Sequence, residues 1–137
     1  MNSYQISRTL VNQLLRHAQQ APEREVCGLI GARDGQPKGV YPVANVADEP
    51  DHLFAMDPAA QIAAMRQMRE QGEALFAIYH SHPHAPAEPS LRDVQQATYP
   101  EALYLIISLN TKGVLELRAF RLVDQTIESV ELCVAEV

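Results

Sequence analysis

The sequence predicts an α/β fold in a single domain, with a mixed central β-sheet flanked by helices. Three observations predict it. The chain has 137 residues, 47% of them hydrophobic, which suits one sizeable core. Short apolar runs of strand length alternate with runs of helical spacing, in the order α-β-β-α-β-α-β-β-β. No linker, internal repeat or low-complexity segment divides the chain, so residues 1–137 read as one domain.

The elements follow in order. Ile6, Leu10, Val11, Leu14, Leu15 and Ala18 recur at helical spacing between Ile6 and Gln20, with Ser7 as N-cap and Pro22 closing the region. Glu25-Val-Cys-Gly-Leu-Ile-Gly31 is short and mostly apolar, and Arg33-Asp-Gly35 after it is a turn signal. Together they predict a strand entering a hairpin, with Lys38 to Val46 as the returning strand. Asp57-Pro58 opens the second helix, because Asp supplies a cap acceptor and proline's missing N–H costs nothing at the first helical position. That helix ends at Gly72. Ile62, Met65, Met68 and Arg69 lie near one face of it, and the methionines read as core packing.

Ala74 to Tyr79 is a buried-type strand that leads straight into His80. Ser90 to Thr98 predicts a short helix and Leu103 to Leu109 an apolar strand. Asn110-Thr-Lys-Gly113 is a turn, and Val114 to Val123 a longer strand. Asp124-Gln125 turns the chain into the last strand, Thr126 to Val134.

The formal charge is −6 and the eleven basic residues are scattered. Nucleic-acid binders need a basic stripe to neutralise phosphates, so no nucleic-acid partner is expected. No apolar run approaches the about 20 residues of a membrane-spanning helix. The opening MNSYQISRTLV lacks the cationic start and apolar run of a signal peptide. Cys27 and Cys133 are too far apart in sequence to read as a disulfide framework. The expectation is a cytoplasmic protein with both thiols reduced and no membrane partner.

Chemistry concentrates in YHSHPHAPAEPSLRD, Tyr79 to Asp93. Side chains at i and i+2 of a strand point the same way, so His80 and His82 project together as they leave their strand. Their imidazoles can reach one zinc ion at about 2.0–2.1 Å. Asp93, returned by a loop stiffened by Pro83, Pro86 and Pro89, is the candidate third ligand. Two histidines, a carboxylate and a water make the open tetrahedral arrangement of catalytic zinc. The same residues also read as a polar surface loop followed by a helix start, with Ser90 capping and Asp93 in the first turn.

A metal site of this kind needs a base for its water. Glu25 is the candidate, since a charged residue at the head of a buried strand is costly without a role. Read alone, it is a solvated strand-end residue. Glu23, on the same face of an extended chain but beside Pro22, is its competitor. His84 extends the histidine series but follows Pro83, so a loop position is expected. His52, in the polar Asp48–His52 loop, faces solvent or lines a groove. His17 reads as helix surface, and Cys27 as a small buried residue.

The pattern His80-x-His82-x7-Ser90-x2-Asp93, with an upstream glutamate in Glu25-Val-Cys-Gly-Leu-Ile-Gly31, resembles the JAMM (MPN+) zinc metalloprotease family. The likeness runs on through Pro42-Val-Ala-Asn45, Phe54 and Asp57-Pro58. It implies the MPN/JAMM fold, which is cytidine-deaminase-like. It also implies one Zn2+ per chain on His80, His82 and Asp93, with Glu25 as general base and acid and Ser90 as oxyanion donor. The implied reaction, as in the compact prokaryotic JAB-type members, is hydrolysis of a peptide or isopeptide bond after the C-terminal tail of a ubiquitin-like or sulfur-carrier protein. Such a tail would add as a strand where the zinc site meets a sheet edge. Two other readings share the sequence: a catalytically silent MPN-type protein-binding scaffold, and a zinc amidohydrolase of small molecules.

Overall fold

The computed structural model describes residues 3–110 and 115–136. Within them the chain runs β1 (Ser3–Ser7), α1 (Arg8–Gln19), β2 (Cys27–Arg33), β3 (Gln36–Val43) and α2 (Pro58–Glu70). It continues β4 (Ala74–His82), α3 (Leu91–Gln96), β5 (Leu103–Ser108), β6 (Glu116–Val123) and β7 (Thr126–Ala135). The strands form one sheet in the order β1-β7-β6-β5-β4-β2-β3. The β1/β7 and β4/β5 pairs are parallel and the others antiparallel, so the expected mixed sheet with flanking helices is what is found.

Strand alternation divides the core between the two faces of the sheet. Ala77 and Tyr79 of β4, with Leu103, Leu105 and Ile107 of β5, pack with Leu10, Val11, Leu14 and Ala18 of α1. Ile78, Tyr104 and Ile106 point the other way, toward Ala64 and Met68 of α2 and Val94 of α3. His80 and His82 continue the alternation of Ile78, which sets them on the α2/α3 face. The sheet curls, and its outermost strands border one cleft lined by residues 5–7 and 36–38.

Local chemistry explains the boundaries. The Ser7 hydroxyl accepts from Leu10 N–H at 3.1 Å to start α1, and the Asp57 carboxylate accepts from Ala60 N–H at 2.9 Å to start α2. The β2–β3 turn places Asp34 and Gly35 at φ 53° and 77°, and the β6–β7 turn places Asp124 and Gln125 at φ 51° and 61°. Two successive positive φ values give the turn twist that a two-residue hairpin favours.

Several expectations are corrected. Ile6 belongs to a strand, β1, rather than to the first helix; its partner is β7, at the far end of the sequence. β2 begins at Cys27, which leaves Glu25 and Val26 outside the ladder. β4 runs through His82, because His80, Ser81 and His82 pair with Ile106, Ile107 and Ser108 of β5. β4 is therefore an interior strand, and the histidines stand at its C-terminal end rather than at a lateral sheet edge. On α2 the inward residues are Ala64 and Met68, with Met65 half-buried, while Ile62 is 62% exposed. His17 is half-buried, and its Nδ1 accepts the hydroxyl of the fully buried Tyr79 at 2.8 Å. Tyr79 in turn lies across Gly28, where a Cβ would meet its ring at 2.5 Å. Of the expected turn at Asn110–Gly113, all but Asn110 lies outside the described residues, as does Val114.

Candidate metal centre

Three side chains converge beside the end of β4. Nε2 of His80 and Nε2 of His82 are 3.1 Å apart, and Oδ2 of Asp93 lies 3.1 Å from the first and 3.2 Å from the second. Each residue is placed by its own element. His80 and His82 are two apart on one strand, and Asp93 is the third residue of α3. A capping box fixes that helix start: the Ser90 hydroxyl accepts from Asp93 N–H at 3.0 Å, and Asp93 Oδ2 accepts from Ser90 N–H at 2.8 Å. The intervening loop is tied to the sheet by Ser108, whose hydroxyl donates to Ala85 O at 2.7 Å, and by the fully buried Ala87. The metal-ligand and helix-start readings of Asp93 are therefore compatible.

The donor triangle has the dimensions a metal requires. Ligands at about 2.0–2.1 Å in a tetrahedron lie about 3.3–3.4 Å apart, close to the observed 3.1–3.2 Å edges. His82 Nδ1–H donates to Pro86 O at 2.8 Å, which leaves Nε2 as the free lone pair. The His80 ring is buried and stacked on Phe54, with centroids 4.4 Å apart and planes at 23°. Among the described residues its Nδ1 has no hydrogen-bond partner, and neither does Oε1 of Glu25. Glu25, His80 and His82 present ligand-type atoms within 4.8 Å of one another, a group able to hold a metal ion.

Electrostatics follow from burial. In the metal-free protein burial, the largest influence on Asp93, opposes its ionisation, but the two imidazoles facing it, which donate to it when they carry the extra proton, and Ser90 N–H prevail and hold it far below the usual carboxylate range. Burial lowers the pKa of His80. Burial also pulls His82 down, but Asp93 and the Pro86 carbonyl outweigh it and the net direction is up. Glu25, only 4% exposed, is pushed up to about 7, chiefly by burial; His82 opposes the rise and Asp93 adds to it. Cys27 sits opposite His80 in the β2–β4 ladder, its thiol donating to Val43 O at 3.4 Å and raised by burial to about 12. It is a buried thiol, far from the pKa of a nucleophile.

The remaining candidates lie outward. Glu23 is exposed and faces His84 at 3.5 Å. His52 is exposed between Glu49, at 3.3 Å, and Asp51, at 3.2 Å. Both histidines line a 120 Å³ cavity that also touches Glu25, His82 and Ser90. A larger cavity of 440 Å³ has Phe54, Met56, Ile78, Tyr99 and Tyr104 in its walls. Four supporting residues carry no signal in the motif: Phe54, Pro86, Ser81 and Asn45. Ser81 points to the opposite face from the two histidines, and its hydroxyl accepts from Val26 N–H at 2.9 Å. Ser81 and Pro86 occupy unspecified positions inside the His80–Asp93 pattern, and Asn45 and Phe54 lie in a further stretch that the family resemblance picks out.

A sheet of this topology, with two histidines and an aspartate converging beside a buried glutamate, defines a metallohydrolase-like architecture. The chain belongs to the prokaryotic homologues of the JAB domain, the family whose model matches residues 7–123. It is 32% identical over 133 residues to the CysO-cysteine peptidase of Mycobacterium tuberculosis, covering 96% of this chain and 90% of that one. It is 35% identical over 94 residues to a probable TtuB-protein conjugate cleaving protease of Thermus thermophilus, covering 69% and 63%. The solution structure of protein DSY2949 from Desulfitobacterium hafniense superposes with a TM-score of 0.87 at 34% identity, covering 98% and 94%.

Proposed function

We propose that the chain is a zinc-dependent metallopeptidase that hydrolyses a peptide or isopeptide bond after the C-terminal tail of a ubiquitin-like or sulfur-carrier protein. The observation that carries this reading is the near-equilateral triangle of His80, His82 and Asp93 donors beside a buried glutamate with an unpartnered oxygen. Support for the substrate class comes from the two curated relatives, one named a peptidase of CysO-cysteine and the other a protease cleaving TtuB-protein conjugates.

His80, His82 and Asp93 would hold the ion, since two imidazoles, one carboxylate and an open position form a donor set of catalytic zinc. When bound, zinc supplies Lewis acidity, lowering the pKa of a water toward about 7 and polarising the scissile carbonyl. Glu25, buried beside the donor triangle with Oε1 unpartnered among the described residues, takes a proton from the attacking water at Oε1 and returns it to the departing nitrogen. Ser90 spends a lone pair on Asp93 N–H, and its own proton stays available for the oxyanion. One such donor is worth about 3 kcal/mol of barrier. Phe54 and the Pro86 carbonyl keep the His80 and His82 rings in place. His52, His84 and Glu23 lie outside this set.

Among the described residues no helix is long and apolar enough to cross a membrane. Cys27 and Cys133 are both free, which supports a reducing, cytoplasmic setting for the reaction. The test is incubation of the zinc-loaded protein with a sulfur-carrier protein bearing a C-terminal extension. Mass spectrometry should show loss of that extension, and no loss with Glu25→Gln. Turnover of small amides alone, with every carrier left intact, would reassign the site to a small-molecule amidohydrolase.

A further inference from the structure

Asn45 belongs to neither the donor triangle nor the base, yet its carboxamide uses its full hydrogen-bonding capacity. Nδ2 donates to Glu25 O at 2.9 Å and to Leu53 O at 3.0 Å. Oδ1 accepts from Ala47 N–H and from Ala55 N–H, each at 3.0 Å. An amide offers two donors and two lone pairs, and all four are used. The partners also fix its orientation, because two carbonyls face the nitrogen and two N–H groups face the oxygen.

These four bonds join two segments that the sheet does not hold. Glu25 precedes the first paired residue of β2, so no strand ladder positions it. Its N–H goes to Pro50 O at 2.6 Å and its carbonyl to Asn45. Leu53 and Ala55, the other segment's anchors, bracket Phe54, whose ring backs His80. Backbone bonds from Val46 N–H to Ala55 O at 2.8 Å and from Asp57 N–H to Ala44 O at 3.0 Å also hold the Phe54 segment, and the Asn45 side chain ties that segment directly to the backbone of the base.

We propose that Asn45 is a positioning residue for the hydrolysis, holding Glu25 and the Phe54 segment in register beside His80; the inference rests on the peptidase reading above. Asn45 acts through Glu25 and Phe54 and meets no substrate itself. A displacement of about 1 Å at a catalytic group costs about 10²-fold in rate, so its loss falls on turnover rather than on substrate binding.

The experiment uses zinc-loaded Asn45→Ala and Asn45→Asp. For Asn45→Ala, kcat per folded molecule should drop about 10–100-fold, while KM for the extended carrier and the zinc content stay near wild type. Its Ala47 and Ala55 amides should exchange with solvent at least about tenfold faster than in wild type. Asn45→Asp keeps the acceptor half of the carboxamide and sets an oxygen against Glu25 O and Leu53 O. It should lose turnover comparably, with Ala47 and Ala55 still protected. Wild-type kcat per folded molecule in either variant overturns the proposal, whatever happens to stability. If Asn45→Ala does not fold, the Asn45→Asp measurement decides. If the wild-type protein cleaves no carrier, the peptidase reading has failed. The amide exchange then decides whether Asn45 holds the two segments, and unchanged exchange in Asn45→Ala refutes that as well.

Discussion

Glutamine in place of Glu25 should stabilise the metal-free protein at neutral pH. Glu25 is buried with Oε1 unpartnered, and burial moves its pKa from 4.5 to about 7. In the unfolded chain the same carboxyl ionises near 4.5. Between those values the folded state keeps a proton that the unfolded state has lost, so stability falls as pH rises through the window. The contribution of Glu25 is fully present below pH 4.5, and its loss is complete above about pH 7. At about 1.4 kcal/mol per pH unit, the loss is about 3 kcal/mol. Glutamine stays neutral and loses nothing. Urea unfolding of the two apoproteins should give stabilities whose difference grows by about 3 kcal/mol in the variant's favour from pH 4.5 to pH 8. Titrations of groups uncoupled from Glu25 drop out of that difference, while His82 and His52, whose protonation Glu25 favours, titrate with it as one coupled system. A pH-independent difference, or one that moves toward wild type, refutes the claim that the fold holds this carboxylate at a cost. The same substitution should lower hydrolysis by the zinc-loaded enzyme about 10²–10⁴-fold, the usual worth of a general acid–base.

Ser90→Ala should reduce kcat about 10²–10³-fold as an oxyanion donor is lost. It should also cost about 1 kcal/mol of stability as α3 loses its cap; a stability loss with normal kcat in paired kinetic and urea measurements would leave Ser90 a cap only. Gly28→Ala places a Cβ 2.5 Å from the Tyr79 ring and 2.6 Å from Tyr41 O. Because one obstacle is backbone, calorimetry should show a loss of about 1–3 kcal/mol or more, and an unchanged Tm would contradict the packing. His17→Ala leaves the buried Tyr79 hydroxyl without its acceptor, which should cost about 1–3 kcal/mol. Adding Tyr79→Phe should recover part of that loss, and no recovery in the double-mutant cycle would show the pair to be uncoupled.

How much of this could be read from the sequence depended on whether the deciding interaction was local. The hairpin at Asp34-Gly35, the caps at Ser7, Asp57 and Ser90, and the same-face projection of His80 and His82 are properties of neighbouring residues, and they hold. β1 was illegible because only Ile6 among its five residues is buried and its partner β7 is remote in sequence. The extension of β4 to His82 was hidden because a polar His-Ser-His run lacks an apolar signature, although β5 supplies its ladder. The interior position of β4 follows from the sheet order, which no local periodicity encodes. Ile62 misled because several helix faces satisfy the same spacing, and the small Ala64 permits the closer approach to the sheet. Glu25 could be nominated from its apolar neighbours, but its dependence on Asn45 twenty residues onward could not.

The central claim is that His80, His82 and Asp93 share one metal ion. The most direct measurement is an anomalous difference map collected across the zinc edge from crystals of the zinc-loaded protein. It should show a single strong peak about 2.0–2.2 Å from His80 Nε2, His82 Nε2 and an Asp93 carboxylate oxygen. A peak bonded to other residues, or none at these three under zinc-replete conditions, would contradict the account.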